Sequence, residues 1–292
     1  MRVALLFEHP TWSASLLERL QQRSIDVTPI NVGDYAAQLP EIDTSFDRWI
    51  NRINAMPSAG RPASVVAAAA HLLTALELSG QSVINGSMSH RIGGSKAAQS
   101  ALFHRVGLPT PASIAIYQPR DAVAAAETLG FPVLTKPNVG GSGSGIMRHD
   151  SANELEHAMA AGLVDLGIDG TGLVQRVINS ADGLIYRVEM LGSDLFYGTT
   201  QAAQADGFNY CAVDGVATDQ VALFDPSRKI VAAVGAALSA SDAQVGGAEY
   251  MIDATTGEAC FYDFNPYSNF VTGLNQQLGF DPIDRYIDFV TQ

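Results

Sequence analysis

Only three lysines, Lys96, Lys136 and Lys229, stand against 30 acidic side chains and a formal charge of −13. An acidic protein that binds a small anion must gather its few cations in one cleft, so their positions carry information. Lys136 ends an apolar run over residues 131–136, just before Asn138-Val-Gly-Gly-Ser-Gly-Ser-Gly-Ile146. Such a lysine is costly to bury unless it meets an anion. The backbone N–H groups of Gly140, Gly141, Ser142, Gly143, Ser144 and Gly145 can approach phosphate oxygens without side-chain obstruction. Plainer readings stand beside these: a surface hairpin or linker for the loop, and a lysine snorkelling to solvent at a strand end. The spacing does not fit a dinucleotide fingerprint, and no Gly-Lys-Ser/Thr closes the loop as a Walker A motif.

A second constellation is rich in oxygen. Asp263 and Asn265 are two apart on a predicted strand and share a face. If the preceding turn centres on Thr256, Glu249 lies opposite Asp263 across an antiparallel ladder. Facing acids repel, and a divalent cation removes that penalty. Hard oxygen donors suit magnesium, which takes few carboxylates together with nucleotide phosphates. The alternative is a solvated acidic edge, against which the flanking Phe261, Tyr262 and Phe264 speak. A further strand, Leu173-Val-Gln-Arg-Val-Ile178, offers backbone groups able to read an adenine edge, with Asp182 and Arg187 following it.

The elements that position these residues read as α/β. Residues 3–7, 26–30 and 46–53 are predicted strands, and residues 11–22 a helix, as in the opening of a βαβ unit. A helix over 62–78, a short strand over 82–84 and a turn at Asn85-Gly86 complete a small domain. One helix is expected from 89 to 106, ended by Gly107 and Pro109. Then come a strand at 112–116, a helix at 120–129, and a helix opened by the capping box Ser151-x-x-Glu154. From residue 172 onward strands dominate, at 173–178, 184–191, 195–199, 244–253 and 259–265. Helices are expected at 226–239, with Pro226 in its first turn, and at 282–290. The expected division is residues 1–88, 89–180 and 181–292.

In this order the residues resemble the ATP-grasp superfamily, in particular RimK-like carboxylate–amine ligases related to glutathione synthetase and D-alanine–D-alanine ligase. The likeness covers nearly the whole chain. It rests on Gly94-Ser-Lys96 through Pro109-Thr-Pro111, on Gly130-Phe-Pro-Val-Leu-Thr-Lys136-Pro, and on Gly247-Ala-Glu249 with Asp263-Phe-Asn265-Pro. The resemblance implies an α+β fold in which a pre-ATP-grasp domain precedes two lobes clasping ATP. It further implies that Lys96 and Lys136 bind ATP phosphates under the glycine loop. Gln175, Arg176, Val177 and Ile178 would line the adenine pocket, and Arg187 would stabilise the transferred phosphate. Glu249, Asp263 and Asn265 would hold Mg2+, and a homodimer is in keeping with the family. The chain departs from the pattern at Arg176, where relatives commonly carry an acid, and at Ile185, where many carry Asp. Asp182 is then a candidate for the ribose. Asp263 is shorter than the usual glutamate, and the stretch 199–214 lacks the arginines typical of glutamate-adding relatives.

Phosphoryl transfer to a carboxylate needs alignment and charge neutralisation rather than a protein nucleophile. No Ser-His-Asp arrangement or nucleophile elbow is apparent. Substrate recognition is expected from Arg52 and Arg61, at a strand end where open α/β sheets bind ligands, and from Tyr267, Ser268 and Asn269. The expected reaction joins a small carboxylate and an amine through an acyl phosphate, with a small-molecule kinase and a non-catalytic ATP-binding regulator as alternatives. The negative charge argues against nucleic acid. The first residues are too short an apolar run for a signal peptide, and no stretch suits a bilayer, so a cytoplasmic location is expected. Cys211 and Cys260 cannot make a disulfide framework and read as core thiols.

Overall fold

The computed structural model describes residues 1–292 apart from 10, 35–42, 44, 56–62, 142, 204–220, 269 and 272, and gives the backbone alone for Ala63. Ser142, Arg61, Asn269 and Cys211 therefore lie outside the described residues.

The chain opens with a four-stranded parallel sheet in the order β2-β1-β3-β4. Its strands are β1 (Arg2–Phe7), β2 (Asp26–Asn31), β3 (Arg48–Asn51) and β4 (Val83–Ile84). The uninterrupted apolar run of β1 suits a strand covered on both faces. One cover is α2 (Ala63–Leu78), whose Leu72, Leu73 and Leu76 pack with Trp49 and Leu6. The other combines α1 (Ala14–Gln22) with the last helix of the chain, Pro282–Val290. In that last helix Ile283, Tyr286, Ile287 and Val290 form one buried stripe at helical spacing. Asp281 caps it by accepting from the N–H groups of Ile283 and Asp284.

A five-stranded antiparallel sheet follows the order β11-β10-β9-β12-β13. It comprises β9 (Leu184–Leu191), β10 (Asp194–Ala202), β11 (Val221–Phe224), β12 (Val245–Ile252) and β13 (Ala259–Asn265). Val188, Ala248 and Phe264 turn one face into a core shared with α7 (Arg228–Ala240) and α4 (Lys96–Arg105). The opposite residues of the same strands carry the charges. At Gly247 β12 runs too close to β9 for a side chain, since a Cβ there would stand 2.4 Å from the Val188 carbonyl oxygen.

The third sheet, β5-β8-β6-β7, comprises β5 (Ser113–Ile116), β6 (Val133–Pro137), β7 (Met147–His149) and β8 (Gly172–Arg176). It is covered by α5 (Ala122–Leu129), which a 3-10 turn at Pro119–Asp121 leads into, and by α6 (Ala152–Ala160). This core draws on none of the other two sheets, whereas Val3 and Leu5 of β1 share a core with Leu191, Phe196, Tyr197 and Val245.

Several expectations need correction. The single helix over 89–106 is two, α3 (Ser87–Gly93) and α4, because Ser95 is extended and its hydroxyl caps the Ala98 N–H. That break puts Lys96 in a helix's first turn. At α6, Ser151 caps the Glu154 N–H, but Glu154 reaches the N–H of Asp150, 2.7 Å away, rather than closing a box on Ser151. The third strand stops at Asn51, whose side chain accepts from the Ile53 N–H at 3.0 Å and folds the chain off the sheet. Ser227, not Pro226, begins α7. The strands β7 and β11 and the short helix α8 (Asn275–Leu278) were not foreseen; the last helix is α9. Among the described residues no helix is long and apolar enough to cross a membrane.

Asn85, read from sequence as one half of a turn, joins the first two sheets. It is 2% exposed with a positive φ of 58°. Its Oδ1 accepts from the N–H groups of Gln244 and Val245 at 2.9 and 3.0 Å, and its Nδ2 donates to the carbonyls of Val245 and Pro266. Asn85→Ala strands these buried backbone groups and is expected to cost about 2–4 kcal/mol in urea unfolding. Asn85→Asp should cost more, since an oxygen replaces the amide that faces two carbonyls. A loss below about 0.5 kcal/mol for Asn85→Ala would contradict the joint.

Candidate functional site

The site is built on a lateral row across three strands. Glu249 pairs in register with Arg187 on one side and with Asp263 on the other, so β9, β12 and β13 present a cation and two carboxylates side by side. Glu249 and Asp263 face one another as expected, but not because the turn centres on Thr256. Next to the turn Ile252 pairs with Ala259 and Tyr250 with Phe261, a register that would put Tyr262 opposite Glu249. A bulge between Tyr250 and Glu249 brings Asp263 into that place.

Both acids are compensated from neighbouring elements. Arg187 donates through Nη1 to Glu249 Oε1 at 3.0 Å and through Nε to Glu189 Oε1 at 2.6 Å. Tyr262 donates to Glu249 Oε2 at 3.1 Å, and the Lys96 ammonium is paired with Asp263 Oδ1. Burial and the neighbouring Asp263 hold the Glu249 carboxyl above the usual range, against the pull of Arg187 and Lys96. Burial also pushes Asp263 up, but Lys96, Arg187 and Lys136 outweigh it and its pKa is lowered. Asn265 shares the strand face and donates to Asp263 Oδ2 at 3.3 Å.

Lys136 reaches the same place from the third sheet. Its Nζ donates to Gln175 Oε1 at 2.8 Å, and Gln175 in turn donates to Ser113 Oγ at 2.8 Å. Burial and the nearby Lys96 push its pKa down to about 7, while Asp263 pulls the other way. Gln175 is thus a support for the lysine rather than a wall of an open pocket. Arg176 is exposed, Val177 and Ile178 are half-buried, and the Val177 N–H meets the Pro132 carbonyl at 3.4 Å.

Asn138 sets the spacing of the two lysines and was missed from sequence. Its side-chain oxygen accepts from Ser95 Oγ at 3.0 Å and from the Ala97 N–H at 2.9 Å, and its carbonyl accepts from the Lys96 N–H at 3.0 Å. The start of α4 is thereby stitched to the end of β6. Gln99 does similar work, accepting from the Phe264 N–H at 3.2 Å and from Lys96 at 3.4 Å. Its place three residues after Lys96 on a helix was the available signal. Glu189, fully buried at 1% exposure, was also overlooked, although it stands two residues from Arg187 on the same face.

The glycine loop connects β6 to β7, which pair antiparallel. Gly143 and Gly145 both have φ of 72°, and a Cβ on Gly145 would lie 2.8 Å from Asp165 Oδ2. Gly140, Gly141 and Ser144 belong to the same turn, in which the Ser144 N–H donates to Gly141 at 3.1 Å. Asp182 stands apart from this convergence and is committed to its own turn. It accepts from the Leu184 N–H at 3.0 Å and from the Tyr186 hydroxyl at 2.7 Å.

Of the expected substrate contacts, Ser268 is corrected: it is wholly buried and its hydroxyl is shared with Tyr197 at 2.8 Å and the Phe270 N–H at 3.2 Å. It shapes the loop from within. The Tyr267 hydroxyl bonds the Asn54 side chain. Arg52 lies over the rings of Phe270 at 4.7 Å, Tyr267 at 5.8 Å and Tyr286 at 5.9 Å.

Among the described residues no group of three or more His, Cys, Asp and Glu side chains is placed to hold a metal. The two carboxylates and one amide of Glu249, Asp263 and Asn265 still fit a hard cation that keeps phosphate and water ligands, because all three offer oxygen. Asn138→Ala is expected to separate the lysines. Its predicted effect is nucleotide affinity lower by roughly tenfold or more, with secondary structure by circular dichroism intact. Unchanged affinity by calorimetry would remove Asn138 from this role.

Residues 95–181 match the family described as the ATP binding domain of the carbamoyl-phosphate synthase L chain. The D-alanine–D-alanine ligase of Methylococcus capsulatus is 32% identical over 145 residues, which is 49% of this chain and 44% of that protein. The match thus spans less than half of that relative. Among solved structures, a RimK domain ATP-grasp protein from Sphaerobacter thermophilus superposes with a TM-score of 0.70 at 17% identity, covering all of both chains. The ATP complex of the D-alanine–D-alanine ligase from Bacillus anthracis gives 0.69 at 15% identity, over 100% of this chain and 96% of that one. Over its full length, the chain has the ATP-grasp fold.

Proposed function

We propose that this chain is an ATP-dependent carboxylate–amine ligase acting on small molecules or peptides. The observation that carries the reading is the convergence of Lys96, Lys136 and Arg187 on the facing pair Glu249 and Asp263. In this reading the first sheet is a pre-ATP-grasp domain and the other two are the lobes that close on ATP, with the protein at work in the cytoplasm.

ATP is a substrate here. A substrate carboxylate oxygen attacks the γ-phosphorus, the bond to the ADP oxygen breaks, and an acyl phosphate forms. A neutral amine then attacks the acyl carbon, the carbon–oxygen bond to phosphate breaks, the nitrogen gives up a proton to the departing phosphate or to solvent, and the amide and phosphate leave. Lys136, steered by Gln175, and Lys96 would hold phosphate oxygens, and the loop from Gly140 to Gly145 would lay N–H groups over them. Arg187, fixed by Glu189 and Glu249, would offset charge on the transferring group. A magnesium ion held by Glu249, Asp263 and Asn265 would neutralise further phosphate charge. Closing the glycine loop would keep water from the acyl phosphate.

ADP and phosphate release is expected with a panel of carboxylates and amines, falling by roughly a hundredfold or more in Lys136→Ala. Equal turnover in both proteins would overturn the reading. Lys136 also makes nucleotide binding proton-linked. Its pKa of about 7 in the free protein must rise beside a triphosphate, so ATP binding above pH 7 takes up protons and weakens as pH rises. Calorimetry at pH 8 in buffers of different ionisation heat should show this uptake, and Lys136→Met should lose it. The same group makes the unliganded fold gain stability with pH between the folded value of about 7 and the ordinary 10.5.

A further inference from the structure

The Arg52 side chain is half-buried, and two of its nitrogens are enclosed without being paired. It follows β3 at the carboxyl edge of the parallel sheet, and its own N–H is anchored on the Leu6 carbonyl at 2.9 Å. Its Nε and Nη1 are buried and have no hydrogen-bond partner. The guanidinium carbon stands within 6 Å of three aromatic rings, those of Tyr267, Phe270 and Tyr286. Rings attract a cation through their faces but accept none of its in-plane hydrogen bonds. Two guanidinium nitrogens shut from water without acceptors are costly to the fold, and the cost is accounted for if the acceptors arrive with a ligand.

The position makes that ligand a substrate. Tyr267 is two residues beyond Asn265, and its hydroxyl is bonded to Asn54, two residues beyond Arg52. The aromatic surround is therefore continuous with the end of the strand that carries Asp263.

We infer that Arg52 binds an unreacted carboxylate of one of the two substrates, so that this substrate is an amino acid or peptide acid and the ligation product keeps a free carboxylate. This rests on the ligase reading of the neighbouring acid row. The in-plane fork of a guanidinium matches the two oxygens of a carboxylate side by side. A single guanidinium with no acidic partner among the described residues balances one negative charge, as a carboxylate requires and a phosphate dianion exceeds. A structural guanidinium of this burial would be expected to have backbone carbonyls or an acid on its N–H groups, as Arg187 has Glu189 and Glu249.

The test uses the full chain with magnesium and ADP present. Thermal shift and calorimetry are run with the free amino acids and glycyl dipeptides, each beside its C-terminal carboxamide. At least one acid is expected to bind with about tenfold or greater preference over its amide. Arg52→Met and Arg52→Lys should abolish that preference while leaving the affinity for magnesium ADP unchanged. Without ligand, Arg52→Met should melt at or above the temperature of the parent protein, since a thioether packs among rings at no charge cost. Acid and amide binding equally, no acid binding while magnesium ADP does, or a lowered melting temperature for Arg52→Met would each overturn the inference. Failure of magnesium ADP itself to bind would instead remove the ligase reading, and this one with it.

Discussion

Two carboxylates held directly opposite one another, Glu249 buried and Asp263 half-buried, impose the constraint to which the rest of the site answers. In water such a pair would separate; on adjacent strands Glu249 and Asp263 cannot. Like charges so placed are tolerated only if cations are fixed beside them. Arg187 meets the need from the neighbouring strand of the same sheet. Lys96 meets it from α4, a helix whose start is fixed to the third sheet. The acids thus bind together parts of the chain far apart in sequence.

The cations are themselves in tension. Lys136 is pushed toward neutrality by burial and by Lys96, and only Asp263 favours its charged form. Three cations stand with three acids, Glu189, Glu249 and Asp263, yet among the described residues Lys136 makes no ion pair and gives its hydrogen bond to the neutral Gln175. That unmatched ammonium is the feature by which the proposed phosphate site differs from a structural ion-pair network. In the latter, each charge would be matched and no lysine would be held near neutral pH.

Much of this was legible in the residues. The facing of positions 249 and 263 was anticipated from an assumed turn centre, but it is a bulge invisible in the sequence that produces it, the ladder at the turn itself being one residue out of that register. The apolar stripe of α9 and the strand β9 were plain, since both patterns are local. Less visible was everything that depends on side chains meeting across sheets. Asn85 and Asn138 are ordinary turn residues by type, and only the folded chain shows one clasping β12 and the other seating α4. The break before Lys96 was missed because Gly94-Ser95 lies in a sequence otherwise compatible with a continuous helix. Asp182 looked available as an exposed acid after a strand, yet local N–H groups and Tyr186 had claimed it. Ser268 looked polar and near the strand that carries Asp263, but a hydroxyl can satisfy a buried turn as readily as a ligand.

The separate core of the third sheet has a mechanical meaning. The first and second sheets share apolar residues and are further riveted at the periphery, where Arg19 and Arg23 of α1 bridge to Asp281, Asp284 and Asp288 at α9. They form a fixed anvil. The β5-β8-β6-β7 sheet, holding its own oil, is the hammer, and the handle is the short stitch at Asn138. A rocking stroke of that piece would carry Lys136 and the glycine turn together and, through the stitch at Asn138, would pull on Lys96 at the start of α4, while the acids stay with the block beneath.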